Sequence, residues 1–114
     1  MNKGATVILY PVSDLPRAKA IFTRFLGIEP IAADARYVGY QLEGQHIGLE
    51  PNGAERGMTG ATPFFDVDDI KAAVAGLVEA GATIIEDAHP VGGGGRVAIL
   101  EDADGNMIGL GQWQ

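Results

Sequence analysis

The chain repeats itself, and that repeat limits its fold more than any other feature. Val12-Ser13-Asp14-Leu15 matches Val67-Asp68-Asp69-Ile70 at an offset of 55 residues, and Gly44-Gln45-His46-Ile47-Gly48-Leu49 matches Gly105-Asn106-Met107-Ile108-Gly109-Leu110 at an offset of 61. The growth in offset is a net insertion of 6 residues in the second half, and the glycine run 92–95 lies between the two matches. A chain of two similar halves folds as two similar units, each too small to bury an apolar face alone.

Each half reads as a strand, a helix and three further strands. The first strands span 6–12 and 62–67, rich in Val, Ile, Tyr and Phe. In the first helix Ser13 or Asp14 caps, Pro16 suits the first turn, and Leu15, Ala18, Phe22, Phe25 and Leu26 form an apolar stripe ended by Gly27. In the second, Asp68 or Asp69 caps, Ile70, Val74, Leu77 and Val78 form the stripe, and Gly81 ends it. Shorter strands follow at 28–32, 37–42 and 45–50, then at 83–86, 96–101 and 107–111. Tight turns at Glu43-Gly44 and Asp104-Gly105 join the last two strands of each half. Segment 51–60, with three glycines and no apolar period, is the linker. The expected fold class is α+β. Two tandem βαβββ modules (1–53 and 61–114 of a single domain) form a curved mixed sheet with a concave cup and helices on the outer face.

Composition narrows the function. The 114 residues carry 8 Lys plus Arg against 15 Asp plus Glu, a net charge of −7, which disfavours nucleic acid and anionic membranes. The absence of cysteine excludes disulfides, thiolate-bound zinc, iron–sulfur clusters and thiol nucleophiles. Lys3, the short apolar run 5–12 and Ala18-Lys19-Ala20 imitate a signal peptide, but Pro11, Asp14 and Arg17 interrupt it. The segment reads as mature protein, and the expected location is cytoplasmic.

Val12-Ser13-Asp14-Leu15-Pro16-Arg17-Ala18, Val67-Asp68-Asp69-Ile70 and Asp102-Ala103-Asp104-Gly105-Asn106-Met107-Ile108 occur in this order. Together with the repeat, they resemble the vicinal oxygen chelate superfamily: glyoxalase I, bleomycin-resistance proteins, extradiol dioxygenases and methylmalonyl-CoA epimerase. Ala103 stands where that pattern has proline. The resemblance implies metal ligands at up to four places, one early in the first strand of each half and one in the last strand of each half. Those places here hold Val7, Thr62, Gly48 and Gly109. Val and Gly have no donor side chain, and a lone Thr hydroxyl is a poor ligand for first-row metals. No metal and no cofactor are expected, and the metal-free bleomycin-resistance branch is the nearest in character.

Strand parity then assigns the cup. Val7, Leu9, His46, Gly48, Glu50, Thr62, Phe64, Asp66, Met107, Gly109, Gly111 and Trp113 share one face, and Ile8, Tyr10, Val12, Ile47, Leu49, Phe65, Val67, Ile108 and Leu110 share the other. The expected cup is apolar and roomy, with glycines where carboxylates would sit. His46 is its candidate base, or else a half-exposed strand histidine. His89 reads as a loop residue. The glycine run is either a flap from which Arg96 reaches an anionic ligand or a plain connection. It lacks the Lys-Ser/Thr ending of a phosphate loop. Asp102-Ala103-Asp104-Gly105-Asn106 is a hairpin turn, since its twelfth residue, Trp113, cannot complete a calcium site. Tyr37, Tyr40 and Trp113 are candidates for stacking on a planar ligand, and Tyr40 equally for the core.

The leading expectation is a metal-free protein that binds or sequesters a small, partly aromatic organic molecule through Val7, Leu9, His46, Gly48, Thr62, Phe64, Arg96, Met107, Gly109 and Trp113. The alternative is a metal-independent isomerase or lyase with His46 as general acid–base, aided by Glu50 or Arg96. A third reading is an interaction module with a filled cup. A homodimer is expected, because such repeats leave sheet edges to be covered.

Overall fold

The computed structural model describes residues 2–113. Among them are eight strands and two helices, in the order β1 (Asn2–Pro11), α1 (Leu15–Leu26), β2 (Ala32–Ala33), β3 (Val38–Leu42), β4 (Gln45–Glu50), β5 (Thr62–Val67), α2 (Ile70–Glu79), β6 (Thr83–Pro90), β7 (Arg96–Glu101) and β8 (Met107–Gln112). This is the expected α+β fold of two strand–helix–three-strand modules. The chain forms two compact units, one of residues 7–61 and one of residues 62–113 with 2–6.

In the first-half unit β1 runs parallel to β4, β4 antiparallel to β3, and β3 antiparallel to β2. Helix α1 begins at Asp14, whose Oδ1 accepts the Arg17 N–H at 3.1 Å, and ends at Gly27, which takes the left-handed φ of 75°. Leu15, Ala18, Phe22 and Leu26 pack with Ile8, Tyr10, Ile47, Leu49, Val38 and Tyr40. Tyr40 is fully buried, and its hydroxyl meets Thr23 Oγ1 at 2.8 Å and donates to Lys19 O at 3.1 Å, so it is a core residue. Phe25 departs from the expected stripe. Leu26 takes the inward position, and Phe25 is 74% exposed with its edge against Phe22.

The strand expected at 28–32 shrinks to Ala32–Ala33. Pro30 cannot donate to a ladder, and Ile28 turns inward to the α1 core instead. The 51–60 linker is a packed series of turns, with Met58 3% exposed and Arg56 paired to Glu50 at 3.5 Å.

In the second-half unit β5 runs parallel to β8, and β8–β7 and β7–β6 are antiparallel. Helix α2 is capped twice. Asp69 Oδ1 accepts the Ala72 N–H at 3.1 Å, and Gln112 Oε1 accepts the Ile70 N–H at 2.8 Å. Ile70 and Val74 pack on Val67, Ala98, Leu100 and Leu110, with Ile108 beside them, while Val78 lies outside the core and is 43% exposed. Strand β6 is longer than expected and irregular, with register shifts between Ile84 and Glu86 and between Glu86 and His89. His89 is therefore a strand residue opposite Val97, with Nε2 2.9 Å from Glu86 Oε1. The glycine run is a short 3-10 turn at Gly92–Gly94, where Gly93 and Gly94 both have positive φ.

Candidate functional site

In the first-half unit Ile8, Tyr10, Ile47 and Leu49 pack under α1. By strand alternation Val7, Leu9, His46, Gly48 and Glu50 point to the opposite face, open only in the sense that no helix covers it, since Leu9 is 8% exposed. Gly39 and Gly48 are direct partners across β3 and β4, which leaves a bare strip of backbone on that face. The Tyr37 ring covers it. A Cβ at Gly39 would lie 2.9 Å from Tyr37 Cε2, and a Cβ at Gly48 would run into the Tyr37 hydroxyl and come 2.5 Å from Leu9 Cδ2. The expectation of an empty space above Gly48 is thus corrected. Tyr37 is held there by a turn in which Asp34 Oδ1 accepts the N–H groups of Arg36 at 2.7 Å and Tyr37 at 3.0 Å.

Tyr37 and His46 form the polar centre of this face. The Tyr37 hydroxyl lies 2.7 Å from His46 Nε2, and the two rings are within 5° of parallel. His46 Nδ1 faces Gln41 Oε1 at 3.3 Å, and Gln41 sits opposite His46 in the β3–β4 register. Burial disfavours the imidazolium, so the His46 pKa falls below its usual value. Burial, reinforced by the Glu50 carboxylate and opposed by Arg56, pushes the Tyr37 phenol up to about 12. Both groups are neutral near pH 7.

On the open face of the second-half unit Phe64 pairs with Gly109 across β5 and β8. A Cβ at Gly109 would lie 2.7 Å from Phe64 Cγ and 2.6 Å from Pro63 O, so the ring occupies this place too. Trp113 covers Gly95 and Gly111, its Nε1 2.9 Å from where a Cβ of Gly111 would stand. Met107 is half-buried on the same face, and Thr62 is fully buried in β5. Arg96 does not join them. It pairs with Gln112, the residue that caps α2, and lines a recess with Lys71, Val74, Val78, Ile84 and Asp87 on the helix side. The expectation that Arg96 reaches the cup is corrected by its parity: Gly95 and Val97 face the open side, and Arg96 between them faces α2.

The residues at the four superfamily ligand places do not fit a metal. Val7 offers no donor, ring atoms of Tyr37 and Phe64 stand where side chains of residues 48 and 109 would begin, and Thr62 is buried. Among the described residues no three His, Asp or Glu side chains gather to hold an ion. Nor is any helix among them long and apolar enough to cross a membrane.

Sequence reasoning named Tyr37 as a stacking candidate but missed Gln41, the hydrogen bond between Tyr37 and His46, and the seat of Tyr37 over Gly48. Parity with Gly39 places Gln41 and Tyr37 on the open face, and the Gln41–His46 register makes that pair neighbours.

Two strand–helix–three-strand modules, each with a helix on one sheet face and none on the other, define a class of small α+β proteins. Within that class the chain belongs to the Glyoxalase/Bleomycin resistance protein/Dioxygenase superfamily, whose model matches residues 5–110. A comparison with curated proteins finds no match. Among solved structures, a superfamily member from Vibrio splendidus is 18% identical with a TM-score of 0.71, covering 98% of each chain. Methylmalonyl-CoA epimerase from Streptomyces coelicolor, in complex with 2-nitronate-propionyl-CoA, is 17% identical with a TM-score of 0.72, also over 98% of each chain. The Mn(II)-bound glyoxalase from Novosphingobium aromaticivorans is 17% identical with a TM-score of 0.72; the match covers 99% of this chain and 40% of that one. At these identities the likeness is one of fold.

Proposed function

We propose that the protein is a metal-free binder of a small, partly aromatic organic molecule, of the kind found in the bleomycin-resistance branch, and that it engages the ligand through Tyr37 and His46. One observation carries the reading. At positions 48 and 109, where the superfamily's metalloenzymes place carboxylates, glycines lie under the rings of Tyr37 and Phe64. Rings on a glycine floor with one neutral hydrogen-bonding pair suit recognition of an uncharged planar molecule. Val7, Leu9 and Gly48 are the remaining proposed lining residues of the first-half unit, and Thr62, Phe64, Met107, Gly109 and Trp113 are those proposed for the second-half unit. Native mass spectrometry of the purified chain, followed by a phenol titration read by NMR, tests this. Shifts concentrated at Tyr37, His46 and their neighbours are expected; uniform or absent shifts contradict the proposal.

The Tyr37–His46 hydrogen bond also favours a second reading, a metal-independent isomerase or lyase with His46 as general acid–base. That chemistry would move a proton between a phenol whose pKa is about 12 and an imidazole held below its ordinary 6.5, a poor match for turnover near neutral pH. His46→Gln separates the two readings, since it abolishes turnover in an enzyme but only weakens affinity in a binder.

The chain is further proposed to be a cytoplasmic homodimer. Ile21 and Phe25, 58% and 74% exposed on α1, support self-association, and sedimentation velocity tests it.

A further inference from the structure

We infer that Gln41, His46 and Tyr37 form a one-way hydrogen-bond relay whose far end, the Tyr37 oxygen, accepts but does not donate, so that the ligand is a planar ring carrying an O–H or N–H donor, of the phenol class. The inference rests on the binding reading above and names its ligand chemistry.

The direction starts at Gln41. Its Nε2 donates to two backbone carbonyls, Leu42 O at 2.9 Å and Gln45 O at 3.1 Å. A carbonyl only accepts, so the amide nitrogen belongs on that side, and Oε1 is left facing His46 Nδ1 at 3.3 Å. An amide oxygen cannot donate, so the hydrogen between them is on Nδ1. A neutral imidazole carries one N–H, and Nε2 is therefore a bare acceptor. The Tyr37 hydroxyl, 2.7 Å away, commits its only proton there. What Tyr37 still offers a ligand is oxygen lone pairs.

A ligand carbonyl or carboxylate would find no proton at Tyr37. It would also meet the Glu50 carboxylate, whose field at the phenol Arg56 offsets only in part. A phenol brings the missing proton, and its ring can stack on the half-buried Tyr37. Gln41 acts here as a positioning residue: it touches no ligand and works by fixing the His46 tautomer.

The test uses the full chain labelled with 15N-histidine at pH 7.5, with His89→Gln to assign the two histidines. Long-range 1H–15N spectra are expected to show His46 protonated at Nδ1 and bare at Nε2. A hydrogen on Nε2, or tautomer averaging, would overturn the relay. Gln41→Met should release the tautomer into averaging; an unchanged tautomer overturns the role of Gln41. Phenol and its donor-free methyl ether, anisole, are then titrated. Phenol is expected to bind about tenfold more tightly in the wild type, the worth of one hydrogen bond. Equal or tighter anisole binding would overturn the inference and leave the binding reading standing. If neither compound shifts any signal, the binding reading falls and this inference with it.

Discussion

The hydroxyl of Tyr37 stands where a side chain at Gly48 would have to begin. The tyrosine comes from the turn before β3 and the glycine from the middle of β4, so a local turn and a long-range strand register meet at one point. Gly48 is therefore needed for a close approach and not for its φ.

Gly48→Ala should destabilise the protein by about 1–3 kcal/mol, because the new methyl group overpacks against both Tyr37 and Leu9. Urea unfolding gives the size. In a Tyr37→Ala background the same substitution should cost less, and strict additivity would show that the two residues are not in contact.

The pair Tyr37–His46 sets a stability profile with two limbs. Burial lowers the His46 pKa from 6.5, so the unfolded chain binds that proton more readily. The contribution of neutral His46 is full above about pH 6.5 and is lost as the pH falls below it. For Tyr37 the sign reverses. Its pKa rises from 10.0 to about 12, so the contribution is full below pH 10 and is lost as the pH climbs toward 12. Unfolding measured across this range should lose its acid limb in His46→Gln and its alkaline limb in Tyr37→Phe.

The two halves differ in how their helices start. Asp14→Ala should cost about 1 kcal/mol, an ordinary N-cap loss. Gln112→Ala should cost more, about 1–3 kcal/mol, because the Ile70 it serves is fully buried and its N–H would be left without a partner. Equal losses by thermal or chemical unfolding would contradict the double cap of α2.

Trp113 is the chain's single tryptophan and lies over Gly95 and Gly111. A Cβ at Gly95 would collide with its six-membered ring, so Gly95→Val should expel the indole into water. The expected outcome is a red-shifted emission with an unchanged far-UV spectrum. Unshifted emission would place Trp113 elsewhere.

Much of this fold was legible in the sequence because the repeat checks itself. Asp14 and Asp69, 55 residues apart, cap their helices through the same contact at the same 3.1 Å. β4, β5 and β7 begin and end where the alternation says. The misses have local causes. Phe25 and Val78 follow the helical period but lie beyond the buried stripe, since Leu26 and Val74 already fill the inward positions. The bulges of β6 shift its register in a way composition does not report, which left His89 outside a strand. The site was half legible. Parity placed His46, Gly48 and Phe64 correctly relative to the helices, but a glycine in a strand reads equally as open space or as a seat for a ring. Distinguishing the two requires knowing where Tyr37 and Trp113 turn, which depends on the Asp34 turn and on the chain beyond β8.

The central claim, that aromatic rings and not metal ligands occupy these open faces, is tested most directly by titrating the metal-stripped full chain with Mn(II), Fe(II), Ni(II) and Zn(II) under calorimetry and analysing the dialysed protein for bound metal. Substoichiometric metal and no rise in melting temperature are expected. One tightly held, EDTA-removable ion per chain that raises the melting temperature, and is lost in His46→Ala, would contradict it.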